Sequence, residues 1–199
     1  MSITTAIEQL FEMGYKPSDI VKMGYAKSTV YTIYKRWLKK RVGENAIYIA
    51  YDIDYSILDR FVHQLRLLGY NVIVGDSHLD TLELIDLSTI VVAIIGRISG
   101  YRRQLLYDEL REANSHQKPI IALIEEGASV PTDILKNSIV IYFSRDDIPK
   151  TLNNIVRIFK NKSQEPLAPI LTAIVIGMLT AFGIVAIMEI LRLLLESRK

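Results

Sequence analysis

Several side chains in this sequence could carry chemistry, and they differ in how much their surroundings say. The most informative is Glu109. On a helix advancing 100° per residue, Leu105, Leu106, Leu110 and Ala113 share one apolar face, and Glu109 falls on that face while Asp108, Arg111 and Glu112 fall outside it. A carboxylate turned inward costs several kcal/mol unless it is solvated or paired. A cleft is therefore one natural place for it; a salt bridge to Arg102 or Arg103, or a helix end tipped into water, is the other. A second group of acids follows apolar runs: Asp52 and Asp54, then Asp76 behind Gly75, then Glu125 and Glu126. Near the start, Lys27, Ser28, Thr29, Tyr31, Thr32 and Lys35 crowd one basic, hydroxyl-bearing helix. His63, His78 and His116 have no ligand spacing, and no cysteine is present, so Cys-ligated metal, thiolate catalysis and disulfides are excluded. Gly75, Gly96 and Gly100 do not form a GxGxxG fingerprint, and there is no Walker loop.

The elements that must position Glu109 alternate in period. AIYIAY (from Ala46), NVIVGD, IVVAIIG, KPIIALIEEG and NSIVIYF are apolar runs of strand length. Between them lie ILDRFVHQLRLLG, a cramped SHLDTLELIDLS and the Arg103–Ser115 helix, with RDDIPKTLNNIVRIFKN closing the series. Continuous apolar strands alternating with helices predict an α/β domain over 46–160, a five-stranded parallel sheet covered on both faces in a flavodoxin-like, doubly wound layout. Ligands in such sheets sit beyond the carboxyl ends of the strands, where Asp52, Asp54, Asp76 and the loop from Gly96 to Tyr101 would gather.

Residues 1–41 carry eight Lys or Arg against three acidic residues, and the whole chain only +2, so the remaining residues are net acidic. Their pattern is three short helices, broken at Gly14 and Gly24, with Val30, Ile33 and Trp37 at helical spacing on the third. The stretch YKPSDIVKMGYAKSTVYTIYKRW resembles the helix-turn-helix of resolvases, transposases and small prokaryotic regulators. By that resemblance Lys27, Ser28, Thr29, Tyr31, Thr32 and Lys35 would face DNA, and the local charge suits phosphate contact. A small dimerisation module with a solvated basic face is the alternative.

Beyond a polar, proline-bearing linker (161–166), Leu167 to Met188 carries no charge. As a helix it would reach about 33 Å, enough for a bilayer core. The hydropathy therefore predicts a single transmembrane helix over 167–190 with a short polar tail, 191–199. The chain would be tail-anchored, its globular part facing the cytoplasm because Lys150, Arg157, Lys160 and Lys162 precede the span. Ala173, Gly177 and Gly183 offer small surfaces for helix pairing and hence a homo-oligomer.

The order YIAYDIDYS, LLGYNVIVGD, STIVVAIIG, LLYDELREA and KPIIALIEE resembles a prokaryotic TIR (Toll/interleukin-1 receptor) domain. Tyr48, Ile49, Ala50 and Tyr51 match its first-strand aromatic box, and Glu109 with Leu110 its E-L step. The resemblance implies that Glu109 is the catalytic carboxylate of an NAD(P) glycohydrolase, with NAD as substrate or ligand rather than cofactor. It also makes Asp52, Asp54, Asp76 and Tyr101 candidates for nucleotide contacts. Nucleoside deoxyribosyltransferases share the sheet, a helical glutamate and the KPIIAL strand. Both chemistries place a carboxylate at an oxocarbenium-like ribosyl carbon. Leu105 stands where the TIR family has tryptophan, and only Ser77 to Thr89 follows the second strand before the third. Those two features favour the other reading left open: a membrane-anchored signalling or regulatory protein that binds or self-assembles through its α/β domain, with a DNA-binding helix-turn-helix.

Overall fold

The computed structural model describes residues 2–43, 45–75, 81–97, 102–136, 138–147, 151 and 168–181. The chain divides into two compact units, Met1–Glu44 and Asn45–Lys199.

In the first unit, α1 (Ile3–Glu12), α2 (Pro17–Lys22) and α3 (Lys27–Val42) are cut by Gly14 and Gly24, both in the left-handed region that glycine adopts without strain. Ser2 caps α1, its hydroxyl accepting from the Thr5 N–H at 3.1 Å. Ile7, Phe11, Ile20, Val30, Ile33, Tyr34, Leu38 and Val42 form the core. Trp37 follows Val30 and Ile33 at helical spacing but at the edge of this core. It lies half-buried at the rim, stacked near Tyr34 and Phe11, with its indole N–H donating to Glu12 at 2.7 Å. An indole needs such an acceptor, and the rim supplies it.

The second unit is an α/β domain. Its strands β1 (Ala46–Asp52), β2 (Asn71–Val74), β3 (Ile90–Ile95), β4 (Ile120–Glu125) and β5 (Ser138–Phe143) form one parallel sheet in the order β2-β1-β3-β4-β5. Every residue of β3 and β4 is buried, as strands covered on both faces must be. Alternation sends Ile47 and Ile49 toward α4 (Tyr55–Leu67), whereas Tyr48 points toward α5 (Thr81–Leu87) and α6 (Arg102–Ser115). Helix α4 buries Ile57, Leu58, Phe61, Val62 and Leu65 and ends at Gly69, while Leu68 stays exposed. Of the closing helix expected after β5, only Arg145–Asp147 and Thr151 are described.

The expectation of a transmembrane helix is overturned. No helix among the described residues is long and apolar enough to cross a membrane. The apolar stretch instead contains α7 (Ala168–Ala181), 14 residues long, packed along α4. Leu171, Ile174, Val175, Met178 and Leu179 are buried in the same cluster as Phe61 and Leu65. Gly177 permits the approach: a Cβ there would stand 3.2 Å from the Phe61 ring. Hydrophobic demand that reads as a bilayer span is met by another helix, so membrane attachment through Leu167–Met188 and a cytoplasm-facing, single-pass placement lose their basis. Residues 182–188 lie outside the described residues.

Candidate active site

Glu109 is inward, as the helical period requires, and it is 2% exposed. Three elements enclose it. From β1, the buried Tyr48 hydroxyl donates to Glu109 Oε1 at 2.9 Å. Strand β2 is short: its last residue, Val74, pairs with Ile49, so β1 runs on beyond it. Gly75 follows at that step, its N–H bonded to the Ile49 carbonyl at 2.8 Å. A Cβ on Gly75 would lie 2.7 Å from both Glu109 Oε1 and the Tyr48 oxygen. Any larger residue there must push the carboxyl or the phenol aside. Arg102, opening α6, donates to the carbonyls of Gly75 (2.6 Å) and Tyr51 (3.4 Å), and its guanidinium lies 4.0 Å from the centre of the Tyr51 ring. It thereby ties the ends of β1 and β2 and brings positive charge near Glu109.

Burial pushes the Glu109 carboxyl up to about 7, with Asp108 adding to the rise; the Tyr48 hydrogen bond and the Arg102 charge pull the other way. The Tyr48 phenol is pushed far above its ordinary value by burial first and the adjacent carboxylate second, so it stays a donor. Among the described residues Glu109 Oε2 is buried with no hydrogen-bond partner. The arrangement is a carboxyl group poised between its two forms near neutral pH, one oxygen held and the other uncommitted. Such a group can stabilise a carbocation, attack an electrophilic carbon or move a proton.

Glu109 makes no salt bridge to either arginine. Arg103 is spent on Asp52 instead, at 2.5 Å, and also donates to the carbonyls of Gly96 (2.7 Å) and Ser129 (3.2 Å). Both members of this pair are buried. Sequence reasoning offered Arg103 only as a partner for Glu109 and missed its pairing with Asp52, which lies 51 residues away and meets it only through the fold.

The carboxyl ends of the strands enclose a separate cavity of about 430 Å³, lined by Asp52, Ile53, Asp54, Gly96, Arg97, Glu125, Arg145 and Asp146. Asp52 and Asp54 are both brought to this edge, Asp54 bonded to Arg145 at 3.1 Å. Asp76 and Tyr101 lie outside the described residues. Arg97 and Arg145 had no signal in the sequence beyond their place after β3 and β5. No group of three His, Asp or Glu among the described residues is placed to hold a metal ion. His63 is exposed, and His116 bonds Asp86 and Glu112. In the other unit, Lys27, Ser28, Thr29, Thr32 and Lys35 are exposed on α3 and Tyr31 is half-buried; the Thr32 hydroxyl donates to the Ser28 carbonyl at 2.8 Å.

No protein-family model matches the chain, and no curated protein matches it. Among solved structures it is similar to the CMP N-glycosidase BcmB of Clostridium botulinum, at 18% identity and a TM-score of 0.38 over 50% of this chain and 88% of that one. It is also similar to a 2-deoxyribosyltransferase of Bacillus psychrosaccharolyticus, at 20% identity and a TM-score of 0.38 over 53% of this chain and 95% of that one. The class that the fold itself defines is a doubly wound, five-stranded parallel α/β domain.

Proposed function

We propose that the α/β unit is a TIR-like N-glycosidase that releases the base from a nucleotide, with Glu109 at the ribosyl carbon. The observation that carries this reading is a buried carboxyl with a raised pKa, one oxygen held by Tyr48 and the other without a partner among the described residues. In the reaction the C1′–N bond breaks and its electron pair leaves with the base. The positive charge that develops on the ribosyl carbon is met by ionised Glu109, either as an ion pair or as a transient ester through Oε2. Water then supplies the hydroxyl at C1′; its proton is released where the base departs neutral, as nicotinamide does, and otherwise goes to the departing base. Burial of Glu109 away from water strengthens this charge–charge stabilisation. The TIR resemblance makes NAD(P) the first substrate to try, with Asp76 and Tyr101 as candidates for nucleotide contacts, Asp54 being bonded to Arg145, and with self-assembly as the activating condition.

The test incubates the full chain, with and without a crowding agent, with NAD, NADP, nucleosides and nucleoside 5′-monophosphates, and reads free base by chromatography. Release from at least one substrate that Glu109→Gln abolishes is the expected result. Silence on every substrate under every assembly condition rejects the reading.

A second reading has its own observation. Glu109 is enclosed, and the basic and hydroxyl side chains of α3 face solvent together. Those facts favour a regulatory protein without catalysis, its three-helix unit a helix-turn-helix that binds DNA through Lys27, Ser28, Thr29, Tyr31, Thr32 and Lys35. A mobility shift that weakens steeply with salt, and less steeply in Lys27→Ala/Lys35→Ala, is expected. Absence of any shift at low salt discards it.

A further inference from the structure

The cavity at the carboxyl edge of the sheet is built around two arginines, and their pairing has a definite order. Glu125, 4% exposed at the end of β4, is the fixed centre. Its Oε1 receives Arg97 Nε at 3.1 Å and Arg145 Nε at 3.0 Å; its Oε2 receives the Arg97 backbone N–H at 2.9 Å and Arg145 Nη2 at 3.3 Å. Both guanidiniums are thus oriented from within. Their outward nitrogens are covered differently. Arg97 Nη2 donates to Asp146 at 2.6 Å and Arg145 Nη1 to Asp54 at 3.1 Å, and the side chains of those two aspartates are 76% and 69% exposed. The inner contacts are doubly made to a buried carboxylate, whereas the outer ones run to solvated surface carboxylates, and such contacts are individually weak.

This order suits an exchange. With Asp54 and Asp146 turned out to water, Arg97 and Arg145 still share Glu125 and face the cavity, and Asp52, the remaining carboxylate of the lining, stays paired with Arg103. Arginine presents a planar fork of donors that matches phosphate oxygens, and forks already held by a buried partner lose less freedom on binding. The place is also the expected one. Asp52, Ile53 and Asp54 leave β1 while Gly96 and Arg97 leave β3, and these neighbouring strands flank the point where the strand order reverses. Gly96 keeps the floor open: a Cβ there would stand 3.0 Å from the Asp52 carbonyl and 3.5 Å from Glu125 Oε2.

We infer that this cavity is a binding site for a phosphate-bearing small molecule, held by Arg97 and Arg145, with Asp54 and Asp146 as the intramolecular anions that the phosphate displaces. Glu125 is the positioning residue. The inference stands apart from the glycosidase reading, because Glu109 lines no part of this cavity.

Isothermal titration of the full chain with adenosine 5′-monophosphate, ribose 5-phosphate, inorganic phosphate and adenosine, at constant ionic strength, tests it. The three phosphate-bearing probes are expected to bind and adenosine to fail. Inorganic phosphate binding as tightly as the organic phosphates assigns the site to the free anion; weaker binding assigns it to a phosphorylated metabolite. Arg97→Gln/Arg145→Gln should weaken binding by roughly tenfold or more. Asp54→Asn and Asp146→Asn should each tighten it, while Asp59→Asn, an equal change of charge on α4 outside this cavity, should leave it unchanged. The sign of the aspartate effect keeps the test decisive even where the double arginine variant fails to fold. No binding of any phosphate probe at millimolar concentration, adenosine binding as well as its monophosphate, or weaker binding in the aspartate variants overturns the inference. So does loss of binding in Glu109→Gln, which would move the ligand to the surroundings of Glu109.

Discussion

Replacing Glu109 by glutamine should make the protein more stable at alkaline pH than at acid pH relative to the wild type, by an amount the structure supplies. Burial raises this carboxyl from 4.5 to about 7. At 1.36 kcal/mol per unit, ionised Glu109 opposes folding by about 3 kcal/mol above pH 7 and not at all below about pH 4.5. The direction follows from proton binding. The folded chain holds this proton more tightly than the unfolded chain, so its stability falls as pH rises through that window, opposite to the usual salt-bridged carboxylate. Glutamine carries no charge to bury. It keeps an oxygen for the Tyr48 hydroxyl but places an amide N–H₂ where Oε2 has no partner, a penalty of about 1–3 kcal/mol that does not vary with pH. The change in the difference between the two proteins is therefore the quantity to read, since every other titrating group cancels from it. Urea unfolding of both at about pH 4.5, 6 and 8 should show the difference moving by about 3 kcal/mol in favour of the variant. Parallel stability curves would mean that Glu109 titrates as an ordinary surface acid and would remove the physical ground for giving it a catalytic role.

The remaining predictions concern its neighbours. Tyr48→Phe deletes the hydrogen bond that holds the Glu109 carboxyl down, so the acid limb of any base-release activity should move to higher pH; an unmoved pH–rate profile would detach Tyr48 from the chemistry. Gly75→Ala forces a methyl to within 2.7 Å of two oxygens and should lower stability by about 1–3 kcal/mol in thermal unfolding, with base release lost. Asp52→Ala leaves the buried Arg103 guanidinium without its carboxylate and should lower stability by about 3–5 kcal/mol in urea. A loss below 1 kcal/mol would show that Arg103 can reach water.

The inward setting of Glu109 was legible because helical period is a local property, carried by Leu106, Leu110 and Ala113 within one turn or two. Its partners were not. Tyr48 lies 61 residues away and Gly75 34, and what joins them is the register of β2 against β1 and the early end of β2, which no local pattern encodes. The five parallel strands were legible from their uninterrupted apolar runs. The arginine pairs were not, since Arg97, Arg103 and Arg145 are read as solvent-facing until the strand ends converge. Hydropathy misled most at the C-terminus, because it measures how much apolar surface seeks cover and is silent on whether lipid or protein provides it. Leu171, Ile174 and Met178 find that cover on α4.

That last packing has a practical corollary. An investigator guided by hydropathy would trim the chain near residue 166 to improve its handling. Doing so would strip Phe61 and Leu65 of the helix that shields them and leave a greasy stripe along α4, beside the strand that ends at Val74. The shortened chain would be the stickier of the two, and a failure to find activity in it would say more about the missing clasp than about Glu109.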